Sequence, residues 1–298
     1  MDCQHGHRLP AFAHRLRRDP ASVHELTHFG RWIFASTCCA FLANQADRLW
    51  VGKMLTVSGL GLYHVAAMIA GLPALLLACV AAHFLVPYYS RLRRDGGRAD
   101  AIAAFLQSHR LGVIAAWAMT CGLLAFGPEL VGFLYRGPYL EIIELLPILV
   151  WINWFQMLQT LGNAWGLANG KPAFSAAANI GKLSALAGFG WLGWRLAGMS
   201  GLLLGFLASE LIRYAMTNAL LFRRMPAVWV EHFVATLVLL AAFLAFRSLN
   251  VQAAGSALAL QKGVAGLAAF GVLAAASYVL NLPARWRSDE SRMAHEAV

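Results

Sequence analysis

The chain has 298 residues, 59% of them hydrophobic and only 13% charged, with 24 Lys+Arg against 14 Asp+Glu and a net charge of +10. A soluble domain uses about 25% charged residues to cover its surface, so this composition excludes an ordinary water-soluble fold and turns the excess apolar area toward lipid. The bases fall in short segments between apolar runs, where they act as topology signals and anionic-lipid contacts rather than as a nucleic-acid footprint.

Five cysteines (Cys3, Cys38, Cys39, Cys79 and Cys121) are scattered without a Cys-x-x-Cys pair, which supports neither a disulfide framework nor a zinc site. Residues 1–24 form a polar, basic tail followed by a long apolar span. That is not the short apolar core and cleavage site of a secretory signal. His5 and His7 read as part of a solvated end. His14 and Asp19 share the His-x4-Asp spacing of membrane acyltransferases but have no supporting motif around them.

A membrane-spanning helix needs about 20 predominantly apolar residues. Eight such spans follow in order: 29–51, 60–86, 101–126, 141–165, 173–195, 200–222, 227–247 and 257–281. The first ends in FLANQADRLWVGKML, residues 41–55, where Asp47 and Arg48 stand side by side in a segment otherwise built for lipid. An adjacent acid and base near the outer end of a span can reach the interface and neutralise each other. Asp47 and Arg48 are therefore candidates for a structural pair or an ion-coupling group. Arg31, near the other end, reads as a snorkelling anchor.

The fourth span carries Asn153, Gln156, Thr160 and Asn163 every three or four residues, which makes one polar stripe on a helix. The fifth carries Ser175, Asn179 and Lys182 on one face, and the sixth carries Glu210, Arg213 and Thr217. A charge at mid-span costs about 2.5–3.5 kcal/mol to insert, so each one calls for a partner or a task. Counting from a turn near 197–199, Lys182 lies about 16 residues before it and Arg213 about 15 after it, at 1.5 Å per residue. The two bases thus sit at one depth, with Glu210 one turn away. Lys182 and Arg213, with Asn179, Asn153, Gln156 and Asn163, are the candidate binding residues for an anion. Glu210 is either an ion-coupling acid or the neutralising partner of one of the two bases.

Gly162, Gly166 and Gly170, and again Gly201 and Gly205, are spaced by four, a pattern that lets helices approach closely. The stretch 166–172, GLANGKP, matches a phosphate-binding loop only loosely, with Pro172 where Ser or Thr belongs and no strand before it. There is no Ser/His/Asp set and no pair of carboxylates in one loop, so no enzymatic activity and no cofactor are expected.

Loop charges orient the stack. With the N-terminus cytoplasmic, Arg8, Arg15, Arg17, Arg18, Arg91, Arg93, Arg94, Arg98, Lys171, Arg223, Arg224, Arg285, Arg287 and Arg292 share one side. Only Lys53, Arg136, Arg195 and Arg247 lie on the other. By the positive-inside rule both ends are expected in the cytoplasm, which agrees with an even number of spans.

The order of segments resembles a known family. FGRWIFASTCCAFLANQADRLWVGKMLTVSGLGLYHVAAMIAGLP, then VPYYSRL, GPELVGFLYRGPYLEIIELLPIL and GLANGKPAFSAAANIGKL, resemble the second half of bacterial oligosaccharide flippases. These belong to the MATE-like multidrug/oligosaccharidyl-lipid/polysaccharide superfamily, and the likeness runs over residues 25–225. GPELVGFLYRGPYLEIIELLPIL resembles that family's short outer re-entrant stretch. The resemblance implies an all-α polytopic membrane protein: one six-helix lobe (25–225), two additional helices (226–282) and a C-terminal tail (283–298). It also implies passage of a lipid-pyrophosphate-linked oligosaccharide across the inner (plasma) membrane, with basic residues meeting the pyrophosphate. A proton or sodium gradient would be the energy source. Where the family carries a first lobe, this chain has a short tail. A half transporter is therefore expected: truncated, completed by a first-lobe chain, or paired with a second copy of itself. The same fold also serves cation-coupled drug efflux, and an orphan lobe can act as a scaffold. A glycan polymerase or ligase would need a large outer loop, and none is present. The expected partners are the lipid-linked oligosaccharide and membrane lipids, not nucleic acid.

Overall fold

The computed structural model describes residues 20–95, 97–221, 223, 225–252 and 256–279. The two tails beyond them, with Cys3, His5, His7, His14, Asp19 and the basic residues of both tails, lie outside the described residues. Among the described residues the chain is helical throughout apart from short connections.

Helix α1 is Pro20–Met54 and begins well before residue 29, inside the segment expected as tail. Helix α2 covers 57–95, with a π-helical turn at Ala81–Leu85. Its start is capped by Thr56, whose hydroxyl accepts from the Gly59 N–H. Helix α3 is Gly97–Leu134. It continues through Pro128 instead of ending at 126, so the segment that resembles a re-entrant stretch is the last turns of a helix, a 3-10 turn at Gly137–Glu141 and the first turns of the next helix. Helix α4 is Ile142–Ala168. It ends where Gly170 takes φ +68 and the Lys171 N–H reaches back to the Gly166 carbonyl. Gly170 is therefore a turn glycine and not a member of a packing stripe.

The next helical stretch, Pro172–Leu221, runs 50 residues, which at 1.5 Å per residue is about 75 Å and far exceeds one bilayer. It is folded in two. Ala197 (φ −143) and Gly198 (φ 59, ψ −133) leave helical geometry, separating α5 (172–196, with a π-helical turn at Leu186–Gly190) from α6 (199–221). The boundary expected between the fifth and sixth spans is thus a real hairpin. Glycine makes it possible twice: Gly198 takes a backbone conformation that a side chain would strain, and the arms touch main chain to main chain. A Cβ on Gly201 would lie 2.0 Å from the Gly193 carbonyl oxygen, and one on Gly205 would lie 2.5 Å from that of Phe189. Helices α7, Pro226–Gln252, and α8, Ser256–Val279, complete eight helices among the described residues.

Among the described residues, five continuous helical stretches are long and apolar enough to cross a membrane: 57–94, 102–134, 137–168, 172–221 and 226–249. The fourth of these contributes two crossings. Large apolar side chains point outward along the bundle, among them Phe34, Leu75, Phe84, Phe233 and Leu267, each more than 60% exposed. In water that surface would be a severe aggregation hazard; in hydrocarbon it is at home. The interior is packed around α4, whose Trp154, Met157, Leu158 and Leu161 are fully buried. Gly112 and Gly127 of α3 face Leu161 and Leu146 of α4, and Trp154 donates its indole N–H to Thr236 on α7 at 3.1 Å. At the end bearing the 2–3 and 4–5 connections, Arg93 donates to the Ala168 carbonyl at 3.5 Å, so these two loops share one side.

Candidate functional site

Three helices bring their charges together. From α5, Lys182 places Nζ 2.7 Å from Glu210 Oε2 on α6. From the next turn of α6, Arg213 donates its Nε to Glu210 Oε1 at 2.8 Å and closes a second contact through Nη2. The i, i+3 spacing puts acid and guanidinium on one face. The hairpin at 197–198 folds Lys182 back to the same height. Arg213 Nη1 also donates to Asn44 Oδ1 on α1 at 3.0 Å. Glu210 is completely buried, Arg213 is 4% exposed and Lys182 is 12% exposed, so Lys182 is the most accessible of the three. Glu210 is shared by two basic side chains, and the second carboxylate in electrostatic range of Lys182 is that of Asp47 on α1. By helix length Lys182 lies about 15 Å, and Arg213 about 12 Å, from the end bearing the 4–5 and 6–7 connections. This is close to the middle of a hydrocarbon core of about 30 Å.

Asp47 and Arg48 divide. Asp47 turns inward: its Oδ2 accepts from the Tyr63 hydroxyl of α2 at 2.8 Å, and it lies within electrostatic range of Lys182. Its Oδ1 is buried without a hydrogen-bond partner among the described residues. Arg48 turns outward and lines an open cleft of about 390 Å³ with Tyr63, His64, Leu60, Gly61 and Val57. The two neighbours are therefore not paired with each other: the acid borders the charge cluster and the base borders the cleft.

The polar stripe of α4 goes elsewhere. Asn153 donates to its own helix at the Leu149 carbonyl (2.8 Å), and its Oδ1 lies against Gly71 of α2. Thr160 likewise bonds back to the Gln156 carbonyl. Gln156 and Asn163 are half-buried and make no hydrogen bond to the cluster among the described residues. Asn179, one turn before Lys182, is buried on α5. Among the described residues Cys38, Cys39, Cys79 and Cys121 are free thiols, and no group of three His, Cys, Asp or Glu side chains could hold a metal.

Sequence reasoning missed a second polar set. His109 (α3), His232 (α7) and Tyr214 (α6) form a buried hydrogen-bonded chain, with Arg110 and Glu231 in an ion pair of 3.6 Å beside it. A signal was present: two buried-span histidines, each adjacent in sequence to a charge of opposite sign to the other's neighbour. A further ion pair, buried Lys262 of α8 with exposed Glu129 of α3 at 2.5 Å, ties the last helix to the bundle. Asn44 was missed as well, although it lies one turn before Asp47 on α1.

A family model described as polysaccharide biosynthesis protein matches residues 10–144. The match covers a little under half of the chain, from the tail through α3 into the first residues of α4. It supports a role in polysaccharide biosynthesis. Asn44, Asp47, Arg48 and Tyr63 lie inside the matched segment; Lys182, Glu210 and Arg213 lie beyond it. No curated protein and no solved structure matches the chain.

Proposed function

We propose that this protein is one lobe of a transporter that passes a lipid-pyrophosphate-linked oligosaccharide across the bacterial plasma membrane, with both termini in the cytoplasm. It acts by translocation rather than by catalysing a reaction. The observation that carries the reading is the Lys182–Glu210–Arg213 cluster itself, two basic side chains sharing one buried carboxylate at mid-bilayer depth among α1, α5 and α6. A fully matched ion pair would serve helix packing alone. Two bases sharing one carboxylate leave N–H donors that a multiply charged phosphate can engage, and charge-assisted bonds of that kind are strong in low dielectric. Lys182 is the member positioned to meet it, and Arg213 sets its surroundings through the shared carboxylate. The family match over residues 10–144 supports the polysaccharide side of the proposal.

Opposing the same face of α1 and α5 would be a second lobe, either a separate chain or a second copy. Alternating access requires two bodies to rock about a shared site. The deciding experiment is complementation of a flippase-null strain, with and without a co-expressed first lobe. Export is expected in the completed assembly and is lost when Lys182→Ala and Arg213→Ala are combined. Unchanged export by the double variant, at wild-type membrane abundance, would remove the anion site from the mechanism.

A further inference from the structure

The chain His109–His232–Tyr214 spans three helices and plays no part in the ion cluster. His109 Nε2 lies 2.9 Å from His232 Nε2, and His232 Nδ1 lies 2.9 Å from the Tyr214 hydroxyl. Both imidazoles are buried, at 0% and 1% exposure. Two imidazole nitrogens at this distance need one N–H between them, and the remaining nitrogen of His232 needs either a donor or an acceptor, which the Tyr214 hydroxyl can supply in either sense. Such a chain holds one continuous run of hydrogen bonds in two directions. It is a path along which a proton can move without any heavy atom shifting.

Among the described residues, an ion pair and a set of aromatic rings adjoin it. Arg110 adjoins His109 on α3, and Glu231 adjoins His232 on α7, the two paired at 3.6 Å. Phe105 stacks on His109 at 5.0 Å, with Tyr89 of α2 and Trp165 of α4 behind it. From α4, Phe155 covers Tyr214 at 5.6 Å, and α4 presents no charge there. The Arg110–Glu231 pair is neutral in sum, so a proton on the imidazole pair would be the local net charge. His232 is six residues from the start of α7 and Tyr214 is seven from the end of α6, so both lie about 10 Å from the same end of the bundle. The chain therefore runs across the bundle, from α3 to α6, rather than through the membrane.

We propose that His109 and His232 form a proton-binding site that is loaded through Tyr214. The steps balance as follows. A proton arriving on the Tyr214 oxygen releases that residue's own O–H proton to His232 Nδ1. His232 then gives its Nε2 proton to His109 Nε2. Tyr214 loses one O–H bond and gains one, His232 loses its Nε2–H and gains an Nδ1–H, and the additional N–H bond on His109 accounts for the arriving proton; Tyr214 and His232 end neutral, and His109 ends as the imidazolium. Tyr214 follows Arg213 directly in the chain, so the entry point of the site lies on the helix that carries the ion cluster, and the new positive charge lies on α3 one imidazole away. This inference does not depend on the identity of any transported molecule.

The test uses the full chain labelled with 15N-histidine in lipid nanodiscs, titrated from pH 5 to 8 and read at the ring nitrogens. Two of the ten histidines are expected to titrate as a coupled pair, sharing their midpoints rather than each having its own. His109→Gln is expected to abolish the coupling and leave His232 with a single ordinary transition. Tyr214→Phe, which keeps the ring and its contact with Phe155, is expected to shift the His232 tautomer while coupling persists. Helical content by circular dichroism confirms that each variant is folded. If His232 gives the same titration in wild type and in Tyr214→Phe, or if both imidazoles stay neutral throughout, the proposal is overturned.

Discussion

Glu210 is the residue whose loss should cost most. It is completely buried and holds two cations, Lys182 through Oε2 at 2.7 Å and Arg213 through Oε1. At an effective dielectric of about 20, a unit pair at this separation attracts with roughly 6 kcal/mol before desolvation is counted. Desolvation offsets most of that in the intact cluster, so the net worth of each pair is small. Removing the shared anion is different. Glu210→Gln leaves two buried cations facing each other with no carboxylate, and breaking a buried pair in this way costs about 3–5 kcal/mol. Lys182→Met instead removes one of the two bases and leaves a one-to-one pair of Glu210 and Arg213, with Asp47 still held by the Tyr63 hydroxyl, which costs less. Arg213→Met falls between them, because it also abandons the Asn44 contact at 3.0 Å. The order of destabilisation is therefore Glu210→Gln, then Arg213→Met, then Lys182→Met, measured as thermal unfolding of the full chain in nanodiscs. A Glu210→Gln variant as stable as Lys182→Met would refute the view that the carboxylate neutralises both bases. The double variant Glu210→Gln with Lys182→Met should recover part of the loss, since only Arg213 then remains unpaired.

Two further outcomes follow from the helix arrangement. Gly205→Ala would drive a Cβ to 2.5 Å from the Phe189 carbonyl oxygen, where only main-chain movement can relieve it. It is expected to destabilise the α5–α6 hairpin by about 1–3 kcal/mol, whereas Gly122→Ala on α3, which meets nothing within 4 Å, should be silent in the same unfolding assay. Single cysteines at Arg94 and Lys171 should react with a membrane-impermeant maleimide from the same side, because Arg93 and Ala168 are in contact. That side is expected to be the cytoplasm, and labelling of the two positions from opposite faces would break the helix order described above.

The sequence also carried part of the site. Counting residues on either side of 197–199 placed Lys182 and Arg213 at one height, and their meeting on Glu210 follows from helical rise alone once a turn is granted. Their use of a third helix did not follow. Nothing in the spacing of Asn44 says that α1 lies against α5 and α6, because helix neighbours are chosen by packing shapes and not by hydropathy. Asn153, Gln156 and Asn163 show the converse. Their period correctly makes one stripe, but a stripe has no address, and Asn153 spends its donor on its own helix and meets Gly71 of α2. Adjacent Asp47 and Arg48 looked like partners in one dimension; successive side chains on a helix point about 100° apart, and Tyr63 took the acid while the cleft took the base.

What the sequence determined by itself is the solvent and the rods: too few charges for water, eight apolar lengths, and breaks at Gly and Pro. These are local properties, since each backbone group in lipid must be satisfied within its own helix. What only the tertiary structure decided is which polar side chains meet. His109 and His232 are 123 residues apart and end 2.9 Å from each other. Contacts of that kind depend on how whole helices pack, through side-chain shape and glycine-permitted approach, and that information is spread over the bundle rather than written at either residue.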